Sequence, residues 1–333
     1  MSRVTSRPGW LVALVLLIQG AVLVSLLIPV SDPRRAPVAL VAPPIVSAVL
    51  VEQANALPQH PFDAAPADSK EAALAELESG NVVAALVLDL ATQRDLLLLE
   101  ETNGQALNTS IRGIVQSLTA RRGRDLDVQV LPGSGRSPMV PALLVLIAML
   151  LGFGAAIVAT WRRGPVEGSL AGGMIRQRRF ALLAVACAAL AGALALATGV
   201  AVLPIVVLTF LLVLIAAVAT AALQSLFDTV GLVVATLLFT VTAAPLVRGL
   251  HPALLPEPWS TLTPWLARGA GLRVARSVVL FDSPGSVRDW LVLLAWLGLS
   301  VGTITVARRA RARAGVAPPP PLRAGPVAGT RSS

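Results

Sequence analysis

The residue types that perform nucleophilic, metal or phosphate chemistry are scarce in this 333-residue chain, and those present are poorly spaced for it. The two histidines, His60 and His251, lie in proline-flanked loops, and neither sits at metal-ligand spacing from a second ligand. Cys187 is the single cysteine and lies in an apolar run, so neither a disulfide framework nor a cysteine-based metal site can form within one chain. Lys70 is the single lysine and follows Ser69, which rules out the G-x-x-x-x-G-K-[ST] loop that cradles nucleotide phosphates. The acids Glu71, Glu76, Glu78, Glu100 and Glu101 show no paired general-acid arrangement and read as a solvated face. The expectation is a chain that is not an enzyme and binds no cofactor or metal, any ATP hydrolysis being the work of a partner.

What the chain has in abundance is apolar length. Hydrophobic residues make up 55% and charged ones 14%, with a mean hydropathy of +0.77, against roughly 45–50% and 25% for soluble domains. The net charge of +9 comes from arginines set beside hydrophobic runs, a pattern of membrane orientation and not of nucleic-acid binding.

A spanning helix needs about 20 apolar residues to cross about 30 Å of hydrocarbon. Six windows qualify: Trp10–Val30, Met139–Trp161, Phe180–Val200, Pro204–Leu223, Val230–Val247 and Trp290–Ala307. The first exceeds a secretory signal in apolar length and lacks an A-x-A-like cleavage site, so it reads as an uncleaved anchor. Arg3 and Arg7 place a short cytoplasmic N-terminus, 1–9, inside. Counting crossings then assigns the loop 162–179, with Arg162, Arg163, Arg176, Arg178 and Arg179, to the cytoplasm, together with a basic, proline-rich, disordered tail over 308–333. Both termini are thus expected in the cytoplasm of a bacterial plasma membrane, the lipid bilayer being the first partner.

Residues 31–138 have soluble composition and an α/β rhythm. Strands are expected at Pro37–Ala42, Val82–Leu88, Asp95–Leu99 and Asp127–Leu131, and helices at Ile45–Leu57, Ser69–Ser79 and Gln105–Arg121, with Asp68 as the cap of the second helix and Gly80 as its stop. The fold class is therefore an α-helical integral membrane protein of six transmembrane helices with an inserted extracytoplasmic α/β domain, followed by a five-helix transmembrane domain over 139–307.

The external loop 248–289 is punctuated by Pro252, Pro256, Pro258 and Pro264, the last opening a helix that runs to about Phe281. Trp259, Trp265, Arg268, Arg273 and Arg276 suit an interfacial helix whose arginines reach the headgroups. Small residues at packing spacing, among them Gly152, Gly192, Gly298 and Gly302, are candidate helix contacts. No ionisable residue falls near the middle of any window, and Asp228 reads as a cap in the turn that follows Gln224.

The order of parts, one span, an external α/β domain, five spans and a proline-broken loop before the last, resembles the type-2 ABC exporter permeases, in particular the phage-infection-protein-like subgroup. DSKEAALAELESGNVVAALVLDL (68–90), ETNGQALNTSIRGIVQSL (101–118) and LPEPWSTLTPWLARGAGLRVARSVVLFD (255–282) carry the likeness. The resemblance implies a permease that pairs as a homodimer or heterodimer and couples to a cytosolic ABC ATPase subunit. Arg162, Arg163, Arg176, Arg178, Arg179, Gln224 and Asp228 would then form the docking surface. Spans so poor in polar residues suit export of a hydrophobic or amphipathic cargo. The alternative is a non-transporting, membrane-anchored binding or assembly protein acting through its external domain.

Overall fold

The computed structural model describes residues 32–89, 92–133, 135–137, 139–163, 170–227, 229–241, 252–255 and 259–313. The apolar runs of the first third become five strands, β1 (Ala36–Val41), β2 (Phe62–Ala67), β3 (Ala84–Leu88), β4 (Arg94–Glu100) and β5 (Asp125–Leu131), in the order β2-β1-β3-β4-β5. All neighbouring pairs are parallel except β3 with β4. Parallel neighbours need crossovers, supplied by α1 (Pro44–Asn55), α2 (Lys70–Glu78) and α3 (Gln105–Arg121). Strand β4 is an unbroken leucine run because both of its faces are covered. Leu97 and Leu99 pack with Val38, Ile111 and Val115, while Leu98 turns to Ala39, Ala73 and Leu77.

Two local expectations are corrected. The cap of α2 is Ser69, not Asp68: the Ser69 hydroxyl accepts the Ala72 N–H at 3.1 Å. Strand β2 was not foreseen, since FDAAPA has little apolar signal and contains Pro66. It lies at the sheet edge, where a proline is tolerated, and Asn55 fixes it by bonding Ala64 twice, Nδ2 to O at 3.1 Å and N to Oδ1 at 2.7 Å.

The remainder is helical: α4 (Met139–Arg163), α5 (Leu170–Thr198), α6 (Val202–Phe227), α7 (Thr229–Val241), α8 (Ala267–Phe281) and α9 (Val287–Arg313). Four stretches, Met139–Trp161, Met174–Thr198, Val202–Phe227 and Val287–Ala310, are long and apolar enough to cross a membrane, which marks a multi-pass, membrane-embedded chain. Of the other two expected windows, 10–30 lies outside the described residues and 230–247 lies partly outside them.

Helix α6 is the hub. Its apolar window is 61% buried against 17% for that of α9, and it packs on α4, α5, α7, α8 and α9. Helices α5 and α6 form the tight hairpin expected. Gly199, at φ +68°, follows the last turn of α5, and the Val200 N–H returns to the Ala195 carbonyl at 2.9 Å, closing a Schellman motif.

The sheet unit rests on the bundle through the segment before α9. Ala253 and Leu254, in a 3₁₀ turn over Pro252–Leu254, complete one face of the sheet core, and the Arg34 N–H bonds the Ala253 carbonyl at 2.8 Å. Gly80, at φ +73°, lies so close to the Phe281 ring that a Cβ there would come within 2.6 Å of it. The stop of α2 is therefore also the contact point with the end of α8.

Candidate functional site

The segment before the last span is expected to be an interfacial helix, with arginines directed to headgroups. The structure corrects this. Pro264 sits not in the first turn of α8 but in a 3₁₀ turn over Thr263–Trp265, preceded by a single helical turn, Trp259–Leu262. The chain is extended at Leu266, and α8 starts at Ala267. Gly269 permits this fold-back, because a Cβ there would collide with the Thr263 carbonyl.

Twelve of the fifteen residues of α8 are buried, among them Arg268 and Arg276. The helix enters the bundle between α4, α6 and α9. Gly271 lets it close on α6, where a Cβ would stand 2.7 Å from Leu212 Cδ2.

The depth that α8 reaches follows from its neighbours. A small cavity of about 20 Å³ at its N-terminal end is lined by Met149, Ile215, Phe239, Leu266, Arg268 and Trp296, with Ala219, Leu238 and Ala267. Met149 lies ten residues into α4, about 15 Å along the helix at 1.5 Å per residue. Trp296 lies nine residues into α9. The first turn of α8 is thus level with the middles of the long helices, while its end at Phe281 meets the sheet unit. Arg268 is 4% exposed and donates through Nη1 to the Phe239 carbonyl. A cationic side chain and the positive end of a helix converge on one apolar cavity, a combination suited to an anionic group.

Further along α8 each arginine has a different partner. Arg273 grips Asp289 at the head of α9 with Nε at 2.9 and 3.1 Å from the two carboxylate oxygens, and its Nη2 bonds the Pro264 carbonyl at 3.0 Å. Arg276 faces Glu100 of β4, linking α8 to the sheet unit electrostatically. Burial holds the Glu100 carboxyl above its ordinary range, opposed by Thr102 and Arg276 and reinforced by Glu78. Trp265 is exposed, carries the Arg288 guanidinium over its ring at 4.7 Å, and accepts from Trp296 Nε1 at 2.8 Å through its carbonyl. Trp259 belongs to the short helical turn.

The residues expected to form a cytoplasmic docking surface are dispersed. Arg162 and Arg163 end α4, while Arg176, Arg178 and Arg179 belong to the first turns of α5 and not to a loop. Arg178 and Arg179 are exposed, but Arg176 is buried. Gln224 is buried on α6 and accepts from Thr160 of α4 at 2.9 Å, which fits helix packing and removes it from any surface. Asp228 lies outside the described residues.

Of the glycines singled out, Gly152 meets the Val213 carbonyl of α6 and Gly192 meets Val206, whereas Gly298 and Gly302 face open space.

No family model matches this chain, and neither a curated protein nor a solved structure does. Function therefore rests on the site itself.

Two residues of the α8 neighbourhood escaped the sequence reading. Asp289 heads an apolar span, a signal that points to a buried partner. Arg136 bonds the Val279 carbonyl at 2.9 Å, Asp282 at 3.0 Å and the Gly199 carbonyl at 3.3 Å. It pins the end of α8 to the α5–α6 hairpin, and nothing in its glycine- and serine-rich setting announces this.

Proposed function

We propose that the chain is the permease subunit of an ATP-driven exporter, with six spans, cytoplasmic termini and the sheet unit outside, moving a hydrophobic or amphipathic cargo. The observation that carries this reading is Arg268, held by α8 among the middles of the long helices. Ionisable residues at bilayer depth are expensive and mark transport paths by default. A half-length helix whose N-terminus ends inside a bundle is a recurrent way of receiving an anionic group there. An amphipathic cargo with an anionic head would match the charge of Arg268 and the apolar walls around it once the small cavity of about 20 Å³ widens.

The energy source is a separate cytosolic ABC ATPase, since Lys70 alone cannot build a phosphate loop. Exposed Arg178 and Arg179 are the part of the expected docking cluster open to such a partner. Gly298 and Gly302, four residues apart and uncovered on α9, suit close packing against a second permease.

Purification in mild detergent tests this reading. A P-loop ATPase should copurify with the chain and be lost on R178E/R179E substitution. Recovery of the chain without an ATPase, together with no effect of its deletion on efflux, would overturn the proposal.

A further inference from the structure

The sheet unit contains a second cavity, unconnected with the α8 site. About 90 Å³ lies between α1, the sheet and α3, several times the ~10–15 Å³ that a cavity needs to hold one water. Close-packed cores leave few voids larger than one water, so this is more than packing leaves behind. Its walls are apolar, with Val38, Leu50, Ala54, Phe62, Leu86 and Val115 prominent, and four polar residues, Gln53, Asp95, Thr119 and Arg122, complete the lining.

These polar groups differ in availability. The Asp95 carboxylate is 1% exposed and held by Arg124, Nε at 3.1 and 2.9 Å and Nη2 at 2.7 Å, so its charge is compensated. The Thr119 hydroxyl donates within α3, to the Val115 and Gln116 carbonyls, each at 3.1 Å. Arg122 is exposed, and its Nη2 donates to the Gln53 amide oxygen at 2.9 Å. That bond bridges the end of α3 to α1, and a competing carboxylate, charged on the acceptor side as well, would make a stronger one.

The cover is fastened at its C-terminal end, by the bonds of Gln53 and Asn55, and packs lightly along the rest of its length. Helix α1 has no fully buried residue, and its packing is chiefly on the edge strand β2. A helix so placed can move outward without emptying a core.

We propose that this cavity binds the hydrocarbon tail of an aliphatic carboxylate whose head group pairs with Arg122 at its mouth. The resting volume takes a short tail, and longer tails enter as α1 shifts. The site is independent of the exporter reading, because nothing in it involves α8 or an ATPase.

The test uses the full chain in lipid nanodiscs, since detergent would compete. Sodium octanoate is titrated calorimetrically, with empty discs of the same lipid subtracted and octan-1-ol as the uncharged analogue. Saturable binding is expected, near one per chain, with added hydrogen-exchange protection in α1. A54F, which fills the cavity, should abolish it. R122A, at an exposed position, should weaken octanoate about tenfold and leave octanol unchanged. Heat no greater than that of empty discs, or binding indifferent to A54F, overturns the proposal. An R122A effect equal for acid and alcohol overturns its assignment to carboxylates.

Discussion

Arg268 and Phe239 are joined by a hydrogen bond from the guanidinium Nη1 to a backbone carbonyl, 29 residues apart in sequence. The bond ties the first turn of α8 to α7 and fixes a cation at the level of Met149 and Trp296. A guanidinium costs several kcal/mol to remove from water even when paired, so its retention at such a place calls for a use.

Replacing buried ion pairs by well-packed apolar side chains of similar volume is often neutral or stabilising, and a methionine at 268 removes the cost of burying the guanidinium. R268M should therefore leave the melting temperature in nanodiscs unchanged or raised, while abolishing efflux of anionic amphiphiles. Retained efflux in R268M would contradict the proposed role of Arg268 in transport.

The Arg273–Asp289 pair is expected to behave oppositely. Asp289 is 5% exposed and Arg273 is its principal partner. R273A leaves a buried carboxylate uncompensated, and the loss should be about 3 kcal/mol, the lower end for breaking a buried pair. Thermal unfolding of R273A, D289N and the double variant measures it, and the double variant should lose less than the sum of the singles.

Much of this architecture was legible in sequence because it rests on short-range signals. Gln105–Arg121 appears as a helix with the expected bounds, since its apolar residues recur at helical spacing and Gly104 and Gly123 flank it. The long apolar helices follow from length alone. Strand β2 was not legible, because an edge strand of small residues has no strong period. The path of α8 was hidden for a different reason. Arginines among apolar residues describe an interfacial helix and a buried one equally well, and only long-range partners decide between them. Asp289, Glu100 and Phe239 lie 16 to 176 positions away from the arginines they meet, on elements whose placement no local pattern carries.

Glycines at helical spacing are predicted to divide by their surroundings. G152A places a methyl against the Val213 carbonyl, which forces α4 and α6 apart at a cost of about 1–3 kcal/mol. G298A meets open space and should leave unfolding of the isolated chain unchanged. If Gly298 and Gly302 pack against a second copy of the chain, G298L/G302L will shift the population in nanodiscs from dimer to monomer by native mass spectrometry.

Glu100 predicts a pH dependence at the joint between the sheet unit and α8. Its folded pKa lies above the ordinary 4.5, so between that value and the raised one the folded state binds more protons than the unfolded. Stability then falls as pH rises through this window and is level above it. E100Q should remove the slope, read as hydrogen exchange of the Phe281 and Thr102 amides from pH 4.5 upward. An unchanged slope in E100Q would assign the titration to another group.

The course of α8 places Arg268 inside the bundle, and cysteine accessibility in intact membranes tests that course directly. On a C187A background, with single cysteines introduced as A270C, A275C and S286C, a membrane-impermeant maleimide added from the side of the sheet unit should label S286C. It should leave A270C and A275C unmodified until the protein is denatured. Labelling at A270C and A275C as fast as at S286C would place α8 along the membrane surface and contradict the buried site around Arg268.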